Sequence, residues 1–240
     1  MTAIDVQIVG ASFFSTHHAS AADAVAGRIR PLTPPTFSLL VARARRFTSL
    51  VTQMHIEVCG ALQIAAAAPP PSVFATCHGE IQTADMLIAD FRANAMVSSA
   101  RFALSVHNTP SGLYSVATAS TAPSTTVTGS NAIAAGWLEA ALTALEGGGT
   151  VLLSIADEPV PAVFQGPTES AGVAAAFLLA AGSPPTGRSA QLVITPTSDD
   201  AVGQTLDVLA RAAEAAMGTA PATIRLGVIQ PGHVLELRFG

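Results

Sequence analysis

The strongest constraint on the fold is a strand, a sharp corner and a long apolar helix that follow one another mid-chain. The β-branched run Thr125 to Thr128 leads into a Gly129-Ser130-Asn131 corner, and the helix after it stops at Gly147-Gly148-Gly149. An apolar strand, Val151 to Ile155, comes next. Such a corner often presents a nucleophile, because a helix N-terminus has free N–H groups and partial positive charge. This corner contains neither a cysteine nor a G-x-S-x-G motif.

Strand and helix patterns alternate along the rest of the chain, which predicts an α/β fold with a largely buried central sheet. The residues Val173 to Ala181 fit a buried strand or a short helix equally well. Further strands are predicted at Ile4 to Val9 (ending at Gly10), Ser72 to Thr76, Gln191 to Thr195, Thr223 to Ile229 and Val234 to Phe239, the last two forming a hairpin. Helices are predicted at Phe37 to Ala68, Ala84 to Phe91, Leu113 to Ala119 and Ser198 to Met217, the last with Asp199 and Asp200 in its first turn.

Composition excludes several classes of function. The 240 residues suit one large domain, and half of them are hydrophobic whereas 11% are charged. The net charge of −5 gives no reason to expect nucleic acid or an anionic membrane as a partner. All 11 basic residues are arginine, so a lysine Schiff base, a pyridoxal-phosphate anchor and a Walker A phosphate loop are excluded. We expect no cofactor.

The two cysteines, Cys59 and Cys77, have no metal-ligand spacing and suit buried thiols in a reducing cytoplasm. We therefore expect no metal site. The first ten residues predict a strand, not a secretory signal. The longest apolar run, Val173 to Ala181, is about half of the ~18 residues that a membrane span needs. These features predict a cytoplasmic protein without a membrane span.

The central stretch resembles the N-terminal half of the β-ketoacyl synthases, which have a thiolase-like fold. The resemblance lies in Asn108 before a helix, then Ala122-Pro123-Ser124, then the strand, corner and apolar helix described above. Counted without a gap, Asn131 falls where that family has its nucleophilic cysteine. The opening strand, the arginines Arg43, Arg45 and Arg46, and the strand Val73 to Thr76 extend the resemblance. It also favours a strand for the run Ala171 to Leu179.

The resemblance implies one ketosynthase-like domain over residues 1–240. Residues 1–195 would correspond to the family's N-terminal half, and residues 196–240 to a shortened C-terminal helix and hairpin. The implied fold is α/β, a thiolase-like half with a mixed central sheet and helices on its faces. The family's two histidine motifs, Pro-Gly-Thr-x-Gly and Asn-x-x-Phe-Gly, do not occur, and His233 belongs to the predicted hairpin.

Without the cysteine and both histidines, condensation has no acyl acceptor and no donors for the enolate. The resemblance therefore implies an inactive subunit similar to the chain-length factors of type II polyketide synthases, in the shortened class of aryl polyene pathways. Such a subunit heterodimerises with an active β-ketoacyl-ACP synthase and meets acyl carrier protein indirectly. The strand Thr125 to Thr128 would pair antiparallel with the same strand of the partner. The implied interface residues are Asn108, Tyr114, Thr125, Thr126, Val127 and Thr128. The implied tunnel-lining residues are Met86, Leu87 and Phe91, for which an ordinary core role is the simpler alternative.

Three alternatives remain open. Asn131 and Ser130 suit helix capping or turn bonding. An enzyme would instead use Ser130 with His107 or His78 to decarboxylate or hydrolyse acyl thioesters, although each histidine also suits a structural role. A third possibility is a homodimeric module that binds acyl carrier protein, for which Arg43, Arg45 and Arg46 would be a docking patch if they are not merely a solvated face.

Overall fold

The computed structural model describes residues 3–29, 35, 38–40, 45–64, 69–164, 171–182, 187–199 and 205–240. The strands are β1 (Ala3–Ser15), β2 (Ser72–Thr76), β3 (Ser124–Thr128), β4 (Thr150–Asp157), β5 (Val173–Ala180), β6 (Arg188–Pro196), β7 (Ala222–Gln230) and β8 (His233–Phe239). The helices are α1 (Ala21–Val25), α2 (Leu50–Ala61), α3 (Ile81–Asn94), α4 (Ser99–Ala103), α5 (Thr109–Thr118), α6 (Ala132–Gly147) and α7 (Thr205–Met217).

The strands form one eight-stranded mixed sheet in the order β3-β2-β4-β5-β1-β6-β8-β7. β2 pairs in parallel with β3 and β4, and the remaining neighbours pair antiparallel. Parallel strands need crossover connections, and α6 supplies the one that runs from β3 across β2 to β4. The prediction of a mixed central sheet with helices on its faces is confirmed, and β5 is a strand.

Two hydrophobic layers lie on opposite faces of the central strands, as the alternation of side chains along a strand requires. Along β2, Val73 and Ala75 belong to the larger layer under α6 and α7, whereas Phe74 belongs to the layer under α2. The sheet curves around the larger layer, because α6 contacts both β2 and β7, which lie near opposite ends of the strand order.

Helix α6 packs closely on β2 at a glycine. A Cβ added at Gly136 would lie 2.8 Å from the Cβ of Ala75, so a larger residue would push the helix off the strand. The next residue, Trp137, is buried and packs on Phe177 with ring centroids 4.7 Å apart. The helix ends at Gly147 with Gly148 in the left-handed conformation, as the glycine run predicts.

Three predicted boundaries are wrong. The long helix is interrupted, because residues 46–48 form turns and the Ser49 side chain accepts a hydrogen bond from the N–H of Thr52 and caps a new helix, α2. β1 continues past Gly10 to Ser15, since the glycine sits at a shift of register, not at the strand end. Asp199 lies outside α7 and pairs with Arg225. Arg43 and Asp200 lie outside the described residues.

Other boundaries differ by a turn or less. α3 extends three residues before and after its predicted range, and α5 begins at Thr109, four residues before its predicted start at Leu113. Pro110 in the first turn of α5 explains this start, since proline suits the first helical positions. The hairpin of β7 and β8 is present as predicted, with Gly232 at positive φ in its turn.

Candidate functional site

The edge strand β3 is the first component of the site. It pairs with β2 in unbroken parallel register, from Ser72 opposite Ser124 to Thr76 opposite Thr128. Its five residues are partly or largely exposed, and none of them is charged. Because β3 is the terminal strand of the sheet, the backbone groups on its other side have no strand within the described chain to pair with.

Helices α5 and α6 flank this edge, and both contact β3. Val116 on α5 is largely exposed. An exposed, uncharged strand edge beside an exposed apolar side chain is typical of a surface that another chain covers.

The corner after β3 places Asn131 at the N-cap of α6. Its position agrees with the capping interpretation, but its side chain makes no capping hydrogen bond. Gly129 adopts a φ of +113°, and a Cβ there would lie 3.8 Å from the Asn131 amide oxygen. Ser130 is exposed between them, and no described hydrogen bond joins it to His78 or His107.

A cleft of about 490 Å³ opens beside this corner. It forms where the end of β2, the start of α3, the segment before α5 and the end of β3 meet. Its lining residues are Cys77, His78, Gly79, Glu80, Ile81, Ala84, Ser105, Val106, His107, Thr128 and Gly129. The structure therefore brings both candidate histidines to the same cleft, next to the corner.

One face of α3 continues the cleft wall. Ile81 and Ala84 line the cleft, and Ile88 and Phe91 follow at helical spacing along the same face. Phe91 is 60% exposed and Met86 is 46% exposed, whereas Leu87 is 8% exposed and turned inward. Of the three predicted tunnel residues, two are thus available to a partner from the surface and one is buried. The spacing of Ile81, Ala84, Ile88 and Phe91 was visible in the sequence, but the structure was needed to relate it to the cleft.

The remaining predicted interface residues divide into exposed and buried ones. Asn108 is exposed at the N-cap of α5. Tyr114 is 2% exposed and packs on Phe74, with ring centroids 5.7 Å apart, so its side chain belongs to the core under α2. Of the predicted arginine patch, Arg46 is exposed, and Arg45 donates through Nε to the carbonyl of Leu40.

A network of buried acidic side chains lies beneath the cleft and holds residues of its lining in place. Asp157, at the end of β4, accepts hydrogen bonds on Oδ1 from the Thr76 hydroxyl at 2.9 Å and from the N–H groups of Cys77 and His78 at 2.8 and 3.1 Å. Its Oδ2 accepts from the hydroxyl of Thr205, the first described residue of α7, at 3.3 Å. One buried carboxylate thereby ties the end of β2 to β4 and α7.

Glu158 and Glu80 extend the network to α2 and α3. Glu158 accepts from the N–H of Val51 at 3.2 Å and from the N–H of Gln82 at 2.9 Å. Glu80 accepts from the hydroxyls of Thr52 at 2.6 Å and Thr83 at 3.2 Å. Burial raises the pKa of both carboxyl groups, that of Glu158 to about 7, although their hydrogen bonds oppose this shift. This network was not predicted, and its visible signal in the sequence is a pair of acids, Asp157 and Glu158, shortly after a predicted strand.

The thiols and the buried histidine are not poised for chemistry. Burial raises the pKa of Cys59 to about 12, and burial together with Asp157 raises that of Cys77 to about 12, so neither forms a thiolate near neutral pH. His55 is buried with Nδ1 2.8 Å from the Ser154 hydroxyl, and burial lowers its pKa to about 3. Among the described residues, no group of three or more His, Cys, Asp or Glu side chains could hold a metal ion.

Comparison with known proteins decides the family. A family model for the β-ketoacyl synthase N-terminal domain matches residues 20–222, which is most of the chain. The chain belongs to the β-ketoacyl synthase N-terminal domain family. The resemblance inferred from the central stretch is thereby confirmed. No curated protein matches this β-ketoacyl synthase-like chain.

Solved structures give the same fold. A chain in the complex of the ketosynthase ApeO with its chain length factor ApeC from Xenorhabdus doucetiae has a TM-score of 0.76 and 17% identity, over 98% of this chain and 99% of that one. A chain in the AntDE:AntF complex, a type II polyketide acyl-carrier protein with its ketosynthase, has a TM-score of 0.67 and 12% identity, over 100% of this chain and 99% of that one. The ishigamide ketosynthase/chain length factor has a TM-score of 0.52 and 13% identity, over 75% of this chain and 59% of that one. The thiolase-like ketosynthase fold is therefore confirmed.

In the described part of the chain, no helix has the length and apolar character of a membrane span.

Proposed function

We propose that this protein is a non-catalytic ketosynthase-like subunit, similar to a chain-length factor, that heterodimerises with an active β-ketoacyl-ACP synthase and shapes its acyl tunnel. The setting would be a type II polyketide synthase of the aryl polyene kind, with acyl carrier protein engaged through the partner. The observation that carries the proposal is the open, uncharged edge of β3, which α5 and α6 flank.

The edge supports strand-to-strand pairing with the partner. In the proposed complex Thr125, Thr126, Val127 and Thr128 pair antiparallel with the partner's equivalent strand, and the two sheets become one. Backbone hydrogen bonds supply much of the affinity of such an added strand, and apolar contacts beside it supply specificity. Asn108 lies at the rim of this surface. Tyr114 supports the surface from the core, not by contact.

The chemistry of the corner supports a non-catalytic role. Asn131 stands where the resemblance places the family's cysteine, and an amide cannot form the acyl thioester of a condensation. Cys77 lines the cleft beside the corner and Cys59 is buried in the core, and the raised pKa of each thiol keeps it from acting as a thiolate.

The tunnel role is assigned to the apolar face of α3. Ile81 and Ala84 begin it at the cleft, and Ile88 and Phe91 extend it to the surface, whereas Met86 is exposed on the opposite side of the helix. A bulky aromatic residue such as Phe91 would limit the length of an acyl chain that reaches it. Leu87 supports this face from inside.

The test is co-expression of the full chain with a ketosynthase encoded beside it, followed by measurement of molar mass by light scattering. We expect a 1:1 heterodimer that extends acyl chains only when both subunits are present. A soluble monomer that ignores the ketosynthase would contradict the proposal, and a homodimer without it would favour the carrier-binding module.

A second candidate is an acyl-thioester decarboxylase or hydrolase, favoured by the position of His78 and His107 in the cleft beside Ser130. Turnover of malonyl or acyl thioesters by the isolated chain, abolished in Ser130→Ala and weakened in His107→Ala or His78→Ala, would support it. The proposed subunit role instead predicts no turnover by the isolated chain.

A further inference from the structure

Helix α3 is attached to the protein chiefly through its first turn. Of its 14 residues, two have buried side chains, Thr83 and Leu87. Its N-cap residue, Glu80, makes no side-chain capping bond to its own helix end. The free N–H of Gln82 is satisfied instead by Glu158. A long helix with few buried residues depends on such an anchor to hold its position.

The anchor joins α3 to α2. Oε1 of Glu158 accepts from the first turn of α3, and Oε2 accepts from Val51 in the first turn of α2. The Gln82 side chain adds a hydrogen bond from Nε2 to the carbonyl of Pro159 at 2.9 Å. Because both helix N-termini converge on one carboxyl group, the position of α3 relative to α2 depends on that group.

The groups facing Glu158 are acidic or uncharged. Glu80 faces it from α3 and Asp157 from β4, and both raise its pKa through like charge after the larger effect of burial. Ser49 and Thr52 on α2 are hydroxyls, and Cys77 and His78 direct their backbone N–H groups to Asp157. Among the described residues no basic side chain is hydrogen-bonded or ion-paired with Glu158. Within the described residues, its charge at high pH is therefore met by the N–H groups of Val51 and Gln82 and by no cation.

We propose that Glu158 is a positioning residue that holds the first turn of α3 in place when its carboxyl group is protonated. We call this contact the latch. The neutral carboxyl holds the first turn of α3 against α2. The ionised carboxylate, buried beside Glu80 and Asp157, gains hydration when that turn opens, so ionisation loosens the helix that bears Ile88 and Phe91. For its effect on a partner, this inference rests on the proposed function; for the opening of α3, it does not.

The sign follows from linkage. The carboxyl has a pKa of about 7 in the closed state and about 4.5 when open, so its contribution favours the closed state fully below pH ~4.5 and is lost as the pH rises to ~7. Between pH 6 and pH 8 the equilibrium constant for opening rises about tenfold.

Hydrogen exchange of the isolated full chain tests the latch, with each rate divided by the intrinsic rate at that pH. We expect protection in residues 81–94 to fall about tenfold from pH 6 to pH 8, while protection in α6 stays constant. Glu158→Gln should abolish this pH dependence. Glu146→Gln, an exposed acid on α6, should leave it unchanged.

Glu80→Gln provides a second variant in case Glu158→Gln does not fold. Removing one facing acid should move the midpoint of the protection loss to lower pH. Equal protection of α3 at both pH values in the wild type, or an unchanged midpoint in Glu80→Gln, would overturn the latch. Ketosynthase affinity measured at the same pH values should fall at pH 8. If the hydrogen exchange of α3 changes with pH but the ketosynthase affinity does not, the latch is supported and the assignment of α3 to the partner surface is wrong.

Discussion

The two edges of the sheet are built differently. At β7, the register with β8 shifts between Arg225 and Gly227 and again between Val228 and Gln230, and Arg225 places a charge on the strand. At β3, five uncharged residues run in unbroken register. Bulges and charged side chains prevent unwanted pairing at a sheet edge, so β7 is protected and β3 is not.

The difference indicates which edge is kept for a partner. An unprotected strand exposes this chain to aggregation unless something covers it. Val116 on α5, a helix that contacts β3, is exposed as well and adds apolar area beside this edge. The contrast therefore supports placing the proposed heterodimer contact at the β3 end of the sheet.

The largest effect is expected from a lysine on the open edge. Thr125→Lys should weaken the complex with the ketosynthase roughly 30- to 100-fold, about 2–3 kcal/mol, because the added charge must be desolvated when the strands pair. Thr223→Lys places the same change on the exposed side of β7 and should alter affinity less than about twofold. Titration calorimetry or surface binding with both variants checks this. Equal losses from the two variants would remove the distinction between the edges.

Substitutions of Leu87 and Phe91 should distinguish a residue that stabilises α3 from a residue that contacts the acyl chain. Leu87→Ala should lower the free energy of unfolding by about 2–3 kcal/mol, because it leaves a cavity beneath the helix. Phe91→Ala should change it by less than about 0.5 kcal/mol, since the ring is exposed in the isolated chain. Urea unfolding measures both values. In the reconstituted complex, Phe91→Ala should lengthen the acyl products; an unchanged product distribution would remove Phe91 from the tunnel.

Glycine substitutions test how β2, the neighbour of β3, is supported. Gly136→Ala should cost about 1–2 kcal/mol of stability, because the new methyl group would meet Ala75 at 2.8 Å. Gly112→Ala in α5 meets no atom within 4 Å and should raise stability by about 0.5–1 kcal/mol through helix propensity. Thermal unfolding compares them. A neutral Gly136→Ala would mean that α6 does not rest on β2 as described.

The smallest effect is expected at the protected edge. Gly227 adopts a φ of +144°, where other residues are strained, so Gly227→Ala should destabilise the protein by about 1 kcal/mol. It should leave ketosynthase affinity unchanged. A loss of affinity comparable to that of Thr125→Lys would place part of the partner surface at β7.

Local signals in the sequence predicted much of this architecture. Gly148 ends α6 through its left-handed conformation, and the short run Ser72 to Thr76, with apolar residues at its centre, predicted the bounds of β2. The interrupted helix before Pro69 was missed because Ser49 was not recognised as a cap among apolar residues on both sides. This error arose because a local capping signal at Ser49 competed with the helical pattern of the residues around it.

The acidic network could not be predicted for a different reason. Val51, Gln82 and Glu158 are far apart in the sequence, and each becomes important only where the chain brings two helix ends to one strand end. Asp157 and Glu158 are ordinary loop acids by pattern. Their burial, and therefore the raised pKa of Glu158, is a property of the tertiary fold.

Hydrogen exchange of the β3 backbone, with and without the ketosynthase, tests the central claim most directly. We expect the amides of residues 124–128 to become strongly protected when the complex forms, while the amides of residues 222–230 exchange at the same rate as in the free chain. Protection at β7 instead, or a stable complex that leaves β3 exchange unchanged, would contradict the account.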